Sequence, residues 1–312
     1  MKIGKTLLYL RNDRQLSQNY MAENLMPATS YSKIERDLQT ISFDMLLKLL
    51  DKLGVTIEEF LSLASNDDSN TDIFLRDELK KLLTDVNKNK KRILKIYTIC
   101  QDKKDETVEY YSIYLLLQTL LSTTFDSIQP VSEEDKLKIK QRLEERFFST
   151  SFISYYDYRI LSNIIVLYST KDIDSILEKV FPVKLINKRN FETYKMIRLT
   201  YNNAISIFIM NHDLKNANKY LQSAFHFEKE APNQHFKSLL LYYYNIYLFL
   251  DEPTLSEKKE TFKNKALYYL DIQKNLGYLD LYNQMKIEFD KVIVDSFTQT
   301  GDDFMVQISS ES

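Results

Sequence analysis

Glycine is scarce in this chain of 312 residues. Only Gly4, Gly54, Gly277 and Gly301 occur, whereas an average usage of about 7% would supply about 22 glycines. Tight hairpins and phosphate-binding loops need glycine because its backbone adopts positive φ angles without steric cost. Four scattered glycines exclude a Rossmann fingerprint and a P-loop, and they argue against hairpin-rich barrels. The chain is therefore expected to belong to the all-α class.

The side chains that usually carry catalysis or bind metals are few. The single cysteine, Cys100, cannot form an intrachain disulfide, which is typical of a reducing cytosol, and its apolar neighbours indicate a core position. The three histidines show no metal-ligand spacing, and no carboxylate pair or Ser/His set stands out. We therefore predict no catalytic residue, no metal and no cofactor. A helical enzyme is disfavoured, but it stays open because clusters formed in space are invisible in a sequence.

Hydropathy and charge limit the partners of the chain. The longest apolar stretch, residues 239–250, spans 12 residues, whereas a helix that crosses a bilayer needs about 20. The first ten residues lack the apolar region and cleavage site of a signal peptide. A net charge of −2 gives the whole molecule no attraction for nucleic acid, so DNA binding would need a local basic patch. We expect a cytoplasmic protein without a membrane partner.

Residues 1–61 are predicted to form five short helices. Pro27 suits the first turn of the third helix, expected over residues 27–36, because its missing N–H is not needed there. Serine and glycine residues lie where helices begin or end, and a Thr/Glu pair has the spacing of a capping box. The expected capping residues are Ser17, Ser42, Gly54, Thr56 and Glu59.

A change in composition divides the chain after this segment. Residues 62–72 are small, polar and acidic, which is typical of a linker. Over residues 73–295, apolar and aromatic side chains recur at helical spacing. Helix pairs are expected to begin near Ser154, Phe191, Asn233 and Tyr278. The offsets of 37, 42 and 45 residues favour a degenerate α-solenoid similar to tetratricopeptide repeats. Residues 296–312 are predicted to form a C-terminal arm, with a frayed tail as the alternative.

The spacing of the second and third helices is typical of a helix-turn-helix motif, whose second helix enters the major groove of DNA. The N-terminal residues of that helix would face the bases, and nearby polar side chains would contact phosphates. The candidate base contacts are Ala28, Thr29, Ser30 and Lys33. The candidate phosphate contacts are Arg11, Arg14, Gln18 and Arg36.

Charge is unevenly distributed in this segment. Residues 1–36 contain six basic and three acidic side chains, whereas residues 37–61 contain two basic and five acidic ones. A patch that is only mildly basic predicts weak binding by a single copy, so we expect a dimer that contacts two half-sites. The alternative is a small helical bundle that does not bind DNA.

Residues 3–61 resemble the Xre-type helix-turn-helix domain of phage repressors. The motifs that carry the likeness include Leu10-Arg11, Leu16-Ser17-Gln18 and Ser32-Lys33-Ile34-Glu35. That family usually has a glycine in the turn where this chain has Met26-Pro27. Scattered motifs extend the likeness over most of the chain to the PrgX/Rgg-type peptide-pheromone receptors. They include Tyr111-Ser112-Ile113-Tyr114-Leu115, Ser162-Asn163, Asn203-Ala204 and Ile209-Met210-Asn211.

The resemblance implies a cytoplasmic quorum-sensing transcription regulator with a solenoid that senses peptide and dimerises. Its partners would be a double-stranded DNA operator, a short hydrophobic signalling peptide and further copies of itself, as a dimer or a dimer of dimers. The implied regulation is repression of conjugation or neighbouring genes, and the arm over residues 296–312 would rearrange on peptide binding. The alternative is a helical-repeat scaffold for a protein partner, with an N-terminal bundle that does not bind DNA.

A hydrophobic peptide needs an apolar groove and side-chain amides that satisfy its backbone. Asn163 and Asn203 lie within otherwise apolar helices. Asn203, Ile207 and Met210 share one helix face at i, i+4 and i+7. These four residues are the predicted peptide site. The alternative is that both asparagines only tie neighbouring helices together.

Overall fold

The computed structural model describes residues 3–64, 75, 78–79, 81–149, 152–252 and 257–295. Within these residues the protein is built from helices and turns and contains no β-strand, so the all-α prediction is confirmed. The chain divides into two compact units, Met1–Glu78 and Leu79–Ser312. Residues 65–72 of the predicted linker and the predicted arm over residues 296–312 lie outside the described residues.

Residues 3–64 of the first unit form five helices around a hydrophobic core. They are α1 (Ile3–Asp13), α2 (Gln18–Ala22), α3 (Ala28–Glu35), α4 (Phe43–Leu53) and α5 (Ile57–Ala64). The side chains of Leu7, Tyr31, Leu49 and Phe60 are completely buried. Apolar residues of α4 recur on one side of the helix, and their burial against α1, α3 and α5 removes that stripe from water.

The predicted capping residues take the expected roles. The hydroxyl of Ser17 accepts a hydrogen bond from the Tyr20 amide, and Ser42 caps α4 in the same way. Thr56 and Glu59 exchange side-chain and backbone hydrogen bonds, as a capping box requires. The helix α3 is shorter than predicted, because Pro27 is its N-cap residue and Arg36 its C-cap residue.

The second unit contains ten α-helices of ten or more residues among its described residues. They are α6 (Lys90–Lys103), α7 (Val108–Leu121), α8 (Glu133–Ser149), α9 (Tyr155–Ile164), α10 (Thr170–Val180), α11 (Phe191–Met210), α12 (Leu214–Glu230), α13 (Gln234–Asp251), α14 (Glu257–Asn275) and α15 (Leu279–Asp295). The predicted starts of the helix pairs agree with these bounds, since Ser154 and Asn233 are N-cap residues and α11 begins at Phe191.

Alternate helices of this unit lie side by side. The helix α9 packs against both α7 and α11, α11 packs against α13, and α8 packs against α10. Sequential neighbours from α11 to α15 also pack in pairs. This arrangement in two layers is the degenerate solenoid predicted from the repeat offsets. In the described part of the chain, no helix combines the length and the apolar character that crossing a bilayer requires.

Candidate nucleic-acid interface and a buried polar row

The helices α2 and α3 are joined by a tight turn. Asn24 in this turn adopts a positive φ of 60°, a conformation that asparagine tolerates better than most residues. The ammonium group of Lys52, on α4, donates to the carbonyl oxygens of Tyr20 and Glu23 at 2.8 and 2.6 Å. Because the C-terminus of a helix carries partial negative charge, this lysine stabilises the end of α2 and the start of the turn.

A buried carboxylate holds α1, α2 and α3 together. Glu35 is 1% exposed, and its two oxygens accept from Nε and Nη2 of Arg11 at 2.6 and 3.0 Å. Gln18, the first residue of α2, donates to the same carboxylate at 2.7 Å. The hydrogen bond to Glu35 raises the pKa of the Arg11 guanidinium. This network fixes the position of the α2–α3 pair relative to α1.

The outer face of α3 presents polar side chains to solvent. Thr29, Lys33 and Arg36 are exposed and follow one another at helical spacing on one face. Ala28 and Ser30 are half-buried at the N-terminal end of the same helix. This face has the hydrogen-bond donors and the charge that contact with DNA bases and phosphates requires.

The candidate phosphate contacts fall into two groups. Arg14 and Arg36 are exposed. Arg11 and Gln18 instead direct their side chains to Glu35, so these two residues position the motif internally. Sequence reasoning included Glu35 in a family motif but did not identify it as an anchor, and it missed Lys52. A signal for Glu35 was present, because it lies four residues after Tyr31 and so shares the side of α3 on which that aromatic residue is buried.

Buried polar side chains link alternate helices of the second unit. We call the residues Ser112, Ser162, Asn163, Asn203, Ser206 and Glu288 the polar row. Asn163 Nδ2 donates to the Ser112 carbonyl on α7 at 3.1 Å, and Asn203 Nδ2 donates to the Ser162 carbonyl on α9 at 3.1 Å. Ser206 on α11 donates to Glu288 on α15 at 3.1 Å. The polar row therefore connects α7, α9, α11 and α15.

The four predicted peptide-site residues are buried to different degrees. Asn163 and Asn203 are 8% and 5% exposed, and each one ties its helix to a neighbour, as the alternative interpretation expected. Ile207 belongs to the hydrophobic core, and Met210 packs half-buried against it. Asn203 also keeps a buried carbonyl oxygen, Oδ1, that has no hydrogen-bond partner. An unsatisfied buried acceptor is costly, so this atom remains a candidate for contact with a ligand.

Ser206 and Glu288 were missed in the sequence. Burial raises the pKa of the Glu288 carboxyl to about 7, although the hydrogen bond from Ser206 and the charge of Lys291 act in the opposite direction. A signal was available on α15. Glu288 interrupts an apolar stripe, three residues after the buried Met285 and four before the buried Val292. An acidic residue at such a position must find a partner inside the protein.

Comparison with known protein families concerns the fold of the first unit. Residues 7–60 match the family model for helix-turn-helix domains, so this segment of the first unit is a helix-turn-helix domain. No curated protein sequence matches the chain.

Solved structures share the fold of the chain over 93–95% of its residues. PrgX in its complex with cCF10 superposes with a TM-score of 0.77 and 23% identity, over 94% of this chain and 93% of that one. Rgg2, the SHP pheromone receptor of Streptococcus dysgalactiae, superposes with a TM-score of 0.70 and 22% identity, over 93% and 99%. A putative transcriptional regulator from Listeria monocytogenes gives 0.73 and 13%, over 95% and 99%.

Proposed function

We propose that this protein is a cytoplasmic transcription regulator that binds operator DNA as a dimer and is switched by a short hydrophobic peptide. The observation that carries the proposal is the exposed face of α3 with Thr29, Lys33 and Arg36, held in place by the Glu35 network. In this proposal Arg14 and Arg36 contact phosphates, while Ala28, Thr29, Ser30 and Lys33 lie over base edges.

The second unit supports the sensing part of the proposal. Among the proteins that share its fold, Rgg2 is described as a pheromone receptor and PrgX as a complex with cCF10. A further structure with this fold is described as a bacterial peptide pheromone/receptor complex. The polar row supplies side-chain amides inside an apolar helical unit, and a peptide backbone needs such groups for recognition. Within this unit we propose Asn163, Asn203, Ile207 and Met210 as neighbours of the bound peptide. We further propose repression of neighbouring or conjugation genes, with a dimer or a dimer of dimers as the DNA-bound form.

Binding to the promoter region upstream of its own gene tests the DNA proposal. We expect the full-length protein to shift this fragment, and Lys33→Ala to weaken binding about tenfold or more. A direct contact to a base contributes about 1–3 kcal/mol to discrimination, which corresponds to about 5- to 150-fold in affinity. Titrations at several salt concentrations report phosphate contacts separately, because each lost contact lowers the salt slope by about one.

Lys237→Ala is the matched control, since it removes the same charge from an exposed position on α13 in the second unit. It should bind like the wild type. Equal affinities for Lys33→Ala and the wild type, or no shift by the intact protein on this fragment and on sheared genomic DNA, would contradict the DNA proposal. The second result would favour the scaffold alternative.

A further inference from the structure

The end of the polar row on α11 and α15 is rich in hydrogen-bond acceptors. Glu288 is a buried carboxyl group whose partner is the Ser206 hydroxyl at 3.1 Å, and both residues are at most 9% exposed. The contact joins residues that are 82 positions apart in the chain. One hydroxyl donor cannot satisfy the acceptor capacity of an ionised carboxylate, which is about four lone-pair sites.

Two further acceptors lie on the same side of α11. Asn202 and Asn203 precede Ser206 by four and three residues, so their side chains project beside it. Both residues are 5% exposed, and the Oδ1 atom of each lacks a hydrogen-bond partner. The amide orientation of Asn203 follows from its Nδ2, which donates to the Ser162 carbonyl at 3.1 Å. Buried acceptors that lack donors would be stabilised by a ligand that supplies several hydrogen-bond donors.

Two titratable groups, Tyr242 and Lys291, lie near this end of the polar row. The hydroxyl of Tyr242, on α13, donates to the Met285 carbonyl at 3.2 Å. Lys291 on α15 lowers the pKa of Glu288 through its charge, but burial outweighs it and raises that pKa to about 7. Gln284, one turn before Glu288 on α15, contributes a buried amide donor, Nε2, that has no partner. One carboxyl, two carbonyl acceptors and one amide donor thus occur together.

We propose that Glu288, Asn202 and Asn203 bind the amino-terminal ammonium group of a peptide, while Gln284 donates to its first carbonyl oxygen. The ammonium group offers three donors and a positive charge, which matches three acceptors with one negative charge. The first carbonyl oxygen of the peptide accepts from the Gln284 amide. A lysine side chain also carries an ammonium group but has no carbonyl beside it, so it would leave this donor unpaired. This inference rests on the proposed function of the second unit as a peptide sensor.

Equilibrium dialysis of the full-length protein against a pool of synthetic heptapeptides tests the inference. Each position of the pool is drawn from Leu, Ile, Val and Phe, and every sequence is present with a free and with an acetylated amino terminus. We expect the wild type at pH 7.5 to retain free-amino peptides at least tenfold more than their acetylated counterparts, by mass spectrometry. Glu288→Gln should reduce that preference to less than twofold while the acetylated peptides stay at wild-type levels.

Two controls keep the result interpretable. Glu230→Gln, an exposed position at the end of α12, should keep the wild-type preference. The wild type alone supplies a second measurement that needs no variant to fold. Its preference for free amino termini should rise between pH 6 and about pH 7.5, as Glu288 loses its proton and becomes the counter-ion of the ammonium group. The peptide amino group, with a pKa of about 8, is still mostly protonated over this range.

The outcomes separate this inference from the proposed function. Equal retention of free and acetylated peptides, or an unchanged preference in Glu288→Gln, overturns the ammonium site and leaves peptide sensing intact. A third pool, acetylated but carrying one lysine, identifies a lysine site if the wild type retains it as well as the free-amino pool, and that result also overturns the proposal. Retention of no peptide by the wild type contradicts the proposed function and the inference together.

Discussion

At the scale of single residues, two positions of the first unit depend on close contacts that permit little variation. Gly4 on α1 lies against the end of α3, where its amide donates to the Asp37 carboxylate at 2.8 Å. A Cβ atom at this position would collide with the backbone oxygen of Ile34 and with Asp37. Glu35, in the same region, accepts from both Arg11 and Gln18. The positions of α1, α2 and α3 relative to one another therefore depend on the absence of a side chain at Gly4 and on the buried carboxylate of Glu35.

Gly4→Ala is expected to destabilise the first unit. Replacing a glycine within a helix by alanine gains about 1 kcal/mol from helix propensity. The clash with the Ile34 backbone opposes this gain, and overpacking of a rigid contact costs about 1–3 kcal/mol or more. We expect the clash to prevail, with a lower midpoint in urea denaturation followed by circular dichroism. Lys5→Ala, at an exposed position on the same helix, should be nearly neutral; an equal or higher midpoint for Gly4→Ala would contradict the close packing.

At the scale of elements, α2 is too short to be stable by itself. It has five residues, and helices of this length depend on capping and on tertiary contacts. The Ser17 hydroxyl accepts a hydrogen bond from the first turn of α2, and the Lys52 ammonium group donates to carbonyl oxygens at its end. The same ammonium group lies 5.4 Å from the centre of the Tyr20 ring. The helix-turn-helix motif is therefore held by a residue of α4, which is outside the motif itself.

Lys52→Met should loosen α2 and the turn that follows it. The variant keeps most of the aliphatic chain but removes the charge and three donors from carbonyl oxygens, for which we expect a loss of about 1–2 kcal/mol. Hydrogen exchange should accelerate at the amides of α2 and the turn, and the affinity for operator DNA should fall with it. Lys48→Met changes an exposed lysine of the same helix α4. If both variants exchange at the same rates, the capping role of Lys52 is wrong.

At the scale of the whole molecule, contacts between distant segments link the ends of the solenoid unit. The polar row runs from Ser112 on α7 to Glu288 on α15, and most of its bonds join helices that are not consecutive in the chain. Aromatic side chains also connect segments of the hydrophobic core, as in the stacked rings of Phe181 and Tyr201 with centroids 3.8 Å apart. Among the described carboxyl groups of this unit, Glu288 has a pKa raised to about 7. The stability of the unit should therefore depend on pH through this group.

The pH dependence follows from the sign of the Glu288 shift. Burial raises the pKa of this carboxyl from 4.5 to about 7 in the folded protein, so folding takes up a proton between these two values. The associated stability is complete below about pH 4.5 and is lost as the pH rises through about 7. A shift of this size corresponds to about 3 kcal/mol, since one unit corresponds to about 1.4 kcal/mol.

Melting temperatures of the wild type and Glu288→Gln between pH 5 and pH 8 test this expectation. The wild type should lose stability with rising pH more steeply than Glu288→Gln, which cannot ionise. Glu230→Gln, at its exposed position, should follow the wild type. Parallel curves for the wild type and Glu288→Gln would show that the carboxyl does not carry the linkage.

The local chemistry of the sequence determined much of this architecture. Scarce glycine predicted an all-helical chain, and side chains next to helix ends predicted the caps at Ser17, Ser42 and Thr56, because capping depends on residues only three positions apart. Helical spacing predicted the solenoid, since periodicity encodes which residues share a side of a helix. The helix-turn-helix plan, rather than periodicity, led to Thr29 and Lys33 as candidate base contacts.

Only the tertiary structure decided which polar side chains meet. The Arg11–Glu35 pair joins positions 24 residues apart, and the Ser206–Glu288 pair joins positions 82 apart. No periodic pattern encodes such pairings, because they depend on how helices pack after they have formed. Helix packing also decided which candidate phosphate contacts remain available: Arg11 and Gln18 bind Glu35, whereas Arg14 and Arg36 face solvent. In the sequence, Glu288 is an acidic residue within an apolar stripe. Its burial in the folded protein raises the pKa of its carboxyl group, for which we propose a ligand.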